Sequence, residues 1–126
     1  MRPMTEFQLT AIVVDDVAVM RKMLRKILES QNFDVIGEAT NGQEAIDLCK
    51  KNSPNLVTLD ITMPEVDGLT ALKSIKKDNP NIRVVMVSAF GERQNVLEAI
   101  KCGAANFIVK PFNAEKVIRV INSIRF

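Results

Sequence analysis

Four stretches of this 126-residue sequence end an apolar run on a residue able to do chemistry. Asp15-Asp16 follows Ile12-Val13-Val14, Asp60 follows Leu56–Leu59, Ser88 follows Val84–Val87, and Lys110 follows Phe107-Ile108-Val109. If these ends meet, three carboxylates, a hydroxyl and an ammonium share one crevice. Clustered carboxylates repel one another and, unless some take up protons, need a cation. The sequence contains no histidine and places no thiol near these positions. Oxygen-only ligands select a hard ion: magnesium first, with manganese or calcium also compatible. Lys110 sets one positive charge against three negative ones, which leaves room for a metal and one further anion.

A phosphoryl group suits that anion. Magnesium shares its shell readily with phosphate oxygens and a few carboxylates, while a lysine and a serine hydroxyl can bind the other phosphoryl oxygens. Ser88 has no histidine base to activate it, whereas a carboxylate is already an anion at neutral pH and can attack phosphorus directly. The product, an acyl phosphate, reacts with water and is therefore temporary, as a signal must be.

The elements that would position these residues alternate along the chain. The sequence predicts strands over Thr10–Val14, Asp34–Ala39, Leu56–Asp60, Val84–Ser88 and Asn106–Lys110. It predicts helical stripes through Val17, Met20, Leu24, Ile27 and Leu28, through Ala45, Ile46 and Cys49, and through Leu69, Leu72 and Ile75. Val96, Leu97 and Ile100 make a fourth stripe, and Val117, Val120, Ile121 and Ile124 a fifth. Turn residues such as Asn41-Gly42, Asp67-Gly68, Asn79-Pro80 and Gly103 punctuate the joins. Strand followed by helix, five times, gives an α/β fold with a parallel sheet covered on both faces. Right-handed crossovers restrict it to doubly wound orders such as 2-1-3-4-5, in which strands 1 and 3 are neighbours and the strand ends lie on one ligand-binding edge.

Composition sets the outer limits. One domain over residues 1–126 is expected, with residues 1–8 as a flexible lead. No apolar run approaches the ~18 residues that span a bilayer, and no signal peptide is recognisable, so a cytoplasmic protein without membrane insertion is expected. A formal charge of +2 is too small to argue for nucleic acid. Arg21, Lys22, Arg25 and Lys26 read as the solvated face of the first helix. Cys49 and Cys102 read as buried structural thiols.

Val13-Val14-Asp15-Asp16, Asp60 with Met63-Pro64 and Asp67-Gly68, Ser88-Ala89 and Lys110-Pro111-Phe112 together resemble the receiver domain of two-component response regulators. The resemblance runs from about Thr10 to the end. Gly37–Gly42 and Phe107–Phe112 are especially similar to the stand-alone chemotaxis regulators of the CheY type. It implies a flavodoxin-like fold, Asp60 as phosphoacceptor, and Mg2+ held by Asp15, Asp16, Asp60 and the backbone carbonyl of Thr62. Ser88 and Lys110 would bind the phosphoryl group, Phe107 would be the aromatic switch, turning inward when Ser88 moves, and the Lys110-Pro111 bond would be cis. It also implies that Thr62 and Phe90 tune hydrolysis, apolar Phe90 slowing the approach of water.

The implied partners are a CheA-like histidine kinase as phosphodonor, a flagellar motor switch protein or other effector on the helix 4–strand 5–helix 5 face, and a phosphatase. Ile118 either faces solvent on that face or makes a minor core contact. The implied chemistry is confined to the chain's own phosphorylation and dephosphorylation. The receiver of a DNA-binding regulator and a phosphorelay carrier share every one of these residues and stay open. A phosphatase with an aspartate nucleophile wants a second Asp two residues after the first, where this sequence has Thr62.

Overall fold

In the computed structural model, which describes residues 8–89 and 92–126, strand and helix alternate five times. The elements are β1 (Leu9–Val14), α1 (Ala18–Ser30), β2 (Phe33–Ala39), α2 (Gly42–Asn52), β3 (Leu56–Asp60), α3 (Gly68–Asp78), β4 (Arg83–Ala89), α4 (Arg93–Lys101), β5 (Asn106–Lys110) and α5 (Ala114–Asn122). The expected lead over residues 1–8 lies, apart from Gln8, outside the described residues, as does Phe90. The strands form one sheet in the order β2-β1-β3-β4-β5, every pair parallel.

Alternation along each strand divides the core in two. Ile12, Val14, Val57, Leu59, Val84 and Met86 pack with Ala45, Ile46, Leu72 and Ile75 from α2 and α3 and with Val96 and Ala99 from α4. Their strand neighbours Ala11, Val13, Leu56, Val85 and Val87 pack with Leu24, Ile27 and Leu28 of α1 and Val117 and Ile121 of α5. A sheet covered on both faces has no polar side, and for that reason Ile12–Val14 of β1 and Val84–Val87 of β4 are unbroken apolar runs.

Several helical faces differ from the sequence reading. Val17 does not extend the first stripe: it precedes the first turn of α1 and is 44% exposed. In α4 the buried positions are Val96 and Ala99, while Leu97 and Ile100, three residues apart, are 48% and 44% exposed. Ile118 is half-buried against the α1/α5 core, the minor core contact rather than the solvent-facing position. Cys49 is buried as expected, and burial pushes its thiol pKa up to about 12; Cys102 is only half-buried. Among the described residues no helix is long and apolar enough to cross a membrane.

Side-chain caps fix the starts of α2, α3 and α5. Asn41, Asp67 and Asn113 accept from the backbone N–H of Glu44, Thr70 and Lys116 at the heads of α2, α3 and α5. The Glu44 carboxylate accepts from the N–H of Thr40, the residue before the Asn41 cap, at 2.7 Å and from its hydroxyl at 2.6 Å. The head of α3 lies directly against the end of β3. The Gly68 N–H donates to the Ile61 carbonyl at 2.8 Å, and a Cβ on Gly68 would fall 2.1 Å from the Asp60 carbonyl oxygen and 2.7 Å from the Ile61 Cα. Gly68→Ala is therefore expected to lower unfolding stability by about 2–3 kcal/mol. Urea denaturation measures this, and a loss under about 0.5 kcal/mol would mean that the backbone can yield there.

Candidate functional site: an acidic crevice at the carboxyl edge

The parallel sheet carries Asp15, Asp16, Asp60, Ser88 and Lys110 to one edge, each just after or within the last residues of its strand. Asp60 pairs with Val87 and Lys110 with Ala89, so β4 lies between the acceptor strand and the lysine strand. Ligand atoms of Asp15, Asp16 and Asp60 all fall within 4.8 Å of one another, with Asp15 and Asp60 buried and Asp16 exposed. The Lys110 ammonium lies 3.0 Å from Asp15 Oδ2 and 3.4 Å from Asp60 Oδ2. Its reach covers two of the three carboxylates, and Asp16 has no hydrogen bond or ion pair among the described residues.

Asp15 uses all of its polar groups. Its N–H donates to the Ala39 carbonyl at 3.1 Å, its Oδ1 accepts from the Val17 N–H at 2.9 Å, and its carbonyl accepts from Arg21 Nη1 at 2.8 Å. Asp15, not Asp16, thus satisfies the backbone entering α1, which has no side-chain cap from Val17. The acceptor-side loop is equally constrained. The Ile61 N–H bonds the Val87 carbonyl at 3.0 Å, the Gly42 N–H bonds the Val66 carbonyl at 3.0 Å, and Met63 is buried in the core. Thr62 is exposed, and its hydroxyl donates to Glu92, at the head of α4, at 3.2 Å.

Electrostatics follow from this packing. Burial is the largest influence on Asp60 and the Asp15 charge the next, and together they outweigh Lys110 and the Thr62 N–H to raise its pKa from 3.8 to about 6. Burial alone would depress the Lys110 pKa, but its hydrogen bond to Asp15 and the attraction of Asp60 leave it raised. Ser88 is 1% exposed and, among the described residues, its Oγ has no hydrogen-bond partner. Behind Ser88 a groove of about 370 Å³ runs between α4 and β5, walled by Val96, Leu97, Ile100 and Phe107. Phe107 stands at its rim, 38% exposed. The Lys110-Pro111 peptide bond is cis.

The basic cluster on α1 is not simply a solvated face. Arg21 Nε donates to Glu38 Oε1 at 3.1 Å and Arg25 Nε to Glu38 Oε2 at 2.7 Å, across to β2. These pairings and the Thr62–Glu92 bond escaped the sequence reading. Both depend on the spacing of β2 from α1 and of two loops 30 residues apart, for which no local pattern exists.

The chain is similar throughout to proteins of known kind. The family model described as response regulator receiver domain matches residues 11–122. The chemotaxis protein CheY of Bacillus subtilis is 50% identical over 111 residues, covering 88% of this chain and 92% of that protein. CheY of Thermotoga maritima is 47% identical over 113 residues, covering 90% and 94%. Among solved structures, the CheX-CheY-BeF3-Mg2+ complex from Borrelia burgdorferi superposes with a TM-score of 0.87 at 39% identity, covering 91% of this chain and 87% of that one.

The raised Asp60 pKa has a stability consequence. Between 3.8 and about 6 the folded protein binds more protons at Asp60 than the unfolded chain does. Stability from this group is fully present below about 3.8 and is lost as pH rises through about 6. Without divalent metal at pH 7.5, Asp60→Asn is expected to be more stable than the wild type by about 1–2 kcal/mol, a figure discounted because the crevice opens to water at Asp16. The gap should narrow as pH falls toward 4. Chemical denaturation across that range measures it; a mutant less stable than the wild type at pH 7.5 would mean that the attraction of Lys110 outweighs burial.

Proposed function

This chain belongs to the response regulator receiver family, and from that premise we propose that it is a phosphorylation-controlled signalling switch of the CheY type with Asp60 as its phosphoacceptor. The observation that carries the reading is the Asp60 carboxylate, nearly buried at the end of β3, grouped with those of Asp15 and Asp16 within 4.8 Å and 3.4 Å from the Lys110 ammonium. The donor set is all oxygen and short of positive charge, which fits Mg2+. Asp15, Asp16, Asp60 and the Thr62 carbonyl would hold the ion. Once bound, it would supply charge neutralisation for phosphoryl oxygens. The relative from Borrelia burgdorferi, whose structure contains Mg2+ and BeF3, supports this assignment.

A CheA-like histidine kinase is the proposed donor. An Asp60 carboxylate oxygen forms the O–P bond while the P–N bond of the donor phosphohistidine breaks, and the imidazole leaves with the electron pair. Lys110, already directed at Asp60, donates to one phosphoryl oxygen. The Ser88 hydroxyl, which has no hydrogen-bond partner among the described residues, donates to another. Water later attacks phosphorus, regenerating the carboxylate and releasing phosphate. The chemistry is confined to the chain's own phosphorylation and dephosphorylation, in the cytoplasm.

Signal output is proposed to pass through the groove. Movement of Ser88 toward the phosphoryl group opens space at its inner end, into which Phe107 turns from the rim. Phe107 has no hydroxyl, so packing alone reports the change. The α4–β5–α5 face, with Leu97 and Ile100 exposed beside it, then binds a flagellar motor switch protein or another effector. The CheX-CheY complex supports a protein partner, of which a phosphatase would be one kind.

Intact mass after incubation with acetyl phosphate tests the reading. A gain of one phosphoryl group is expected only with Mg2+ and only in the wild type, not in Asp60→Asn. No gain by the folded wild type under any condition would overturn phosphoacceptance.

A further inference from the structure

The side chain of Asp16 is the least constrained of the three carboxylates. It is exposed and unbonded among the described residues, whereas Asp15 is bonded at every polar group. Its direction is therefore set by its backbone, beginning with the peptide plane it shares with Asp15. The carbonyl of that plane accepts from Arg21 Nη1 at 2.8 Å.

Arg21 is itself held. Its Nε donates to Glu38 at 3.1 Å, and Glu38 is fixed from the other side by Arg25 Nε at 2.7 Å. Arg25 also donates to the Val35 carbonyl at 3.2 Å, so both arginines are fastened to β2. Glu38 sits opposite Val13 in the β1–β2 ladder, two residues before Asp15. The Glu38 carboxyl is held below its usual pKa, chiefly by the hydrogen bond from Arg25 against the opposing effect of burial, so it stays an anion through neutral pH. An exposed ion pair alone contributes little. Here one planar guanidinium bonds a side chain on the edge strand and the peptide between two acidic residues, which a point-charge ammonium matches poorly.

We propose that Arg21 is a positioning residue for the metal site: by fixing the Asp15–Asp16 peptide against β2, it orients the Asp16 carboxylate toward the cation. The inference rests on the receiver reading, in which Asp16 is a metal ligand. Groups that orient ligands from behind typically change metal affinity about ten- to a hundredfold when removed.

The test is a Mg2+ titration of 15N-labelled protein followed by amide shifts, for the wild type, Arg21→Met, Arg21→Lys and Arg25→Met. Arg21→Met keeps the apolar stem and should weaken Mg2+ binding about tenfold. It should also move the Asp16 amide nitrogen in metal-free protein, because that nitrogen shares the peptide with the Asp15 carbonyl. Arg21→Lys, with one donor retained, should be weaker than the wild type by about threefold, and decides the same question if Arg21→Met does not fold. Arg25→Met also removes an arginine from Glu38 but leaves the carbonyl bond, and should bind within about twofold of the wild type with the Asp16 amide unmoved. Wild-type affinity in both Arg21 variants, or equal weakening in Arg25→Met, would overturn the proposal alone. Failure of the wild type to bind Mg2+ would overturn the receiver reading and the proposal with it.

Discussion

Charge at the carboxyl edge of the sheet does not balance, and the rest of the molecule is arranged around that imbalance. Two buried carboxylates and one exposed carboxylate face a single lysine that reaches only the buried pair. Burial first and the neighbouring Asp15 charge second push the Asp60 pKa up to about 6, so keeping this carboxylate ionised at the edge opposes folding. The cluster persists because the strands beneath it are buried on both faces and because their backbone ends are tied down. Asp15 is bonded to β2 and α1, Ile61 to β4, and Gly68 presses α3 against the acceptor strand. Rigid surroundings hold like charges together, and a ligand bringing positive charge relieves their repulsion.

The same edge borders α4 in two ways. Ser88 is buried without a partner among the described residues, at the inner end of an apolar groove whose outer wall includes Phe107, Leu97 and Ile100. A second connection runs from Thr62, whose N–H lowers the Asp60 pKa and whose hydroxyl holds Glu92 at the head of α4. The groove and the Thr62–Glu92 bond both meet α4, a helix whose buried side chains among its described residues are Val96 and Ala99.

Much of this was legible in the sequence because it depends on order along the chain. Continuous apolar runs ending on Asp, Ser or Lys, alternating with helical stripes, suffice to predict a parallel sheet and to bring Asp15, Asp16, Asp60, Ser88 and Lys110 to one edge. Asn41-Gly42 and Asp67-Gly68 marked joins as turn residues, and the structure adds that Asn41 and Asp67 cap the helices that follow. What depends on tertiary spacing was not legible. Leu97 and Ile100 have helical periodicity identical to that of core residues, and only the position of α4 against β4 and β5 decides that they stay exposed. Arg21 and Arg25 resemble any solvated basic face until β2 brings Glu38 beside them. Val17 continues an apolar stripe in sequence but precedes the first helical turn, with its N–H bonded by Asp15.

The measurement closest to the central claim is the thermal midpoint of the wild type against Mg2+ concentration, at constant ionic strength, compared with Asp15→Asn and Asp60→Asn. A ligand bound only by the folded state raises stability with the logarithm of its concentration. The expected result is a rise in the wild type that continues through millimolar Mg2+ and is much smaller in both mutants, because each removes a carboxylate that makes the cation necessary. An equal rise in all three proteins, or none in the wild type, would contradict the claim that charge imbalance at this edge builds a metal site.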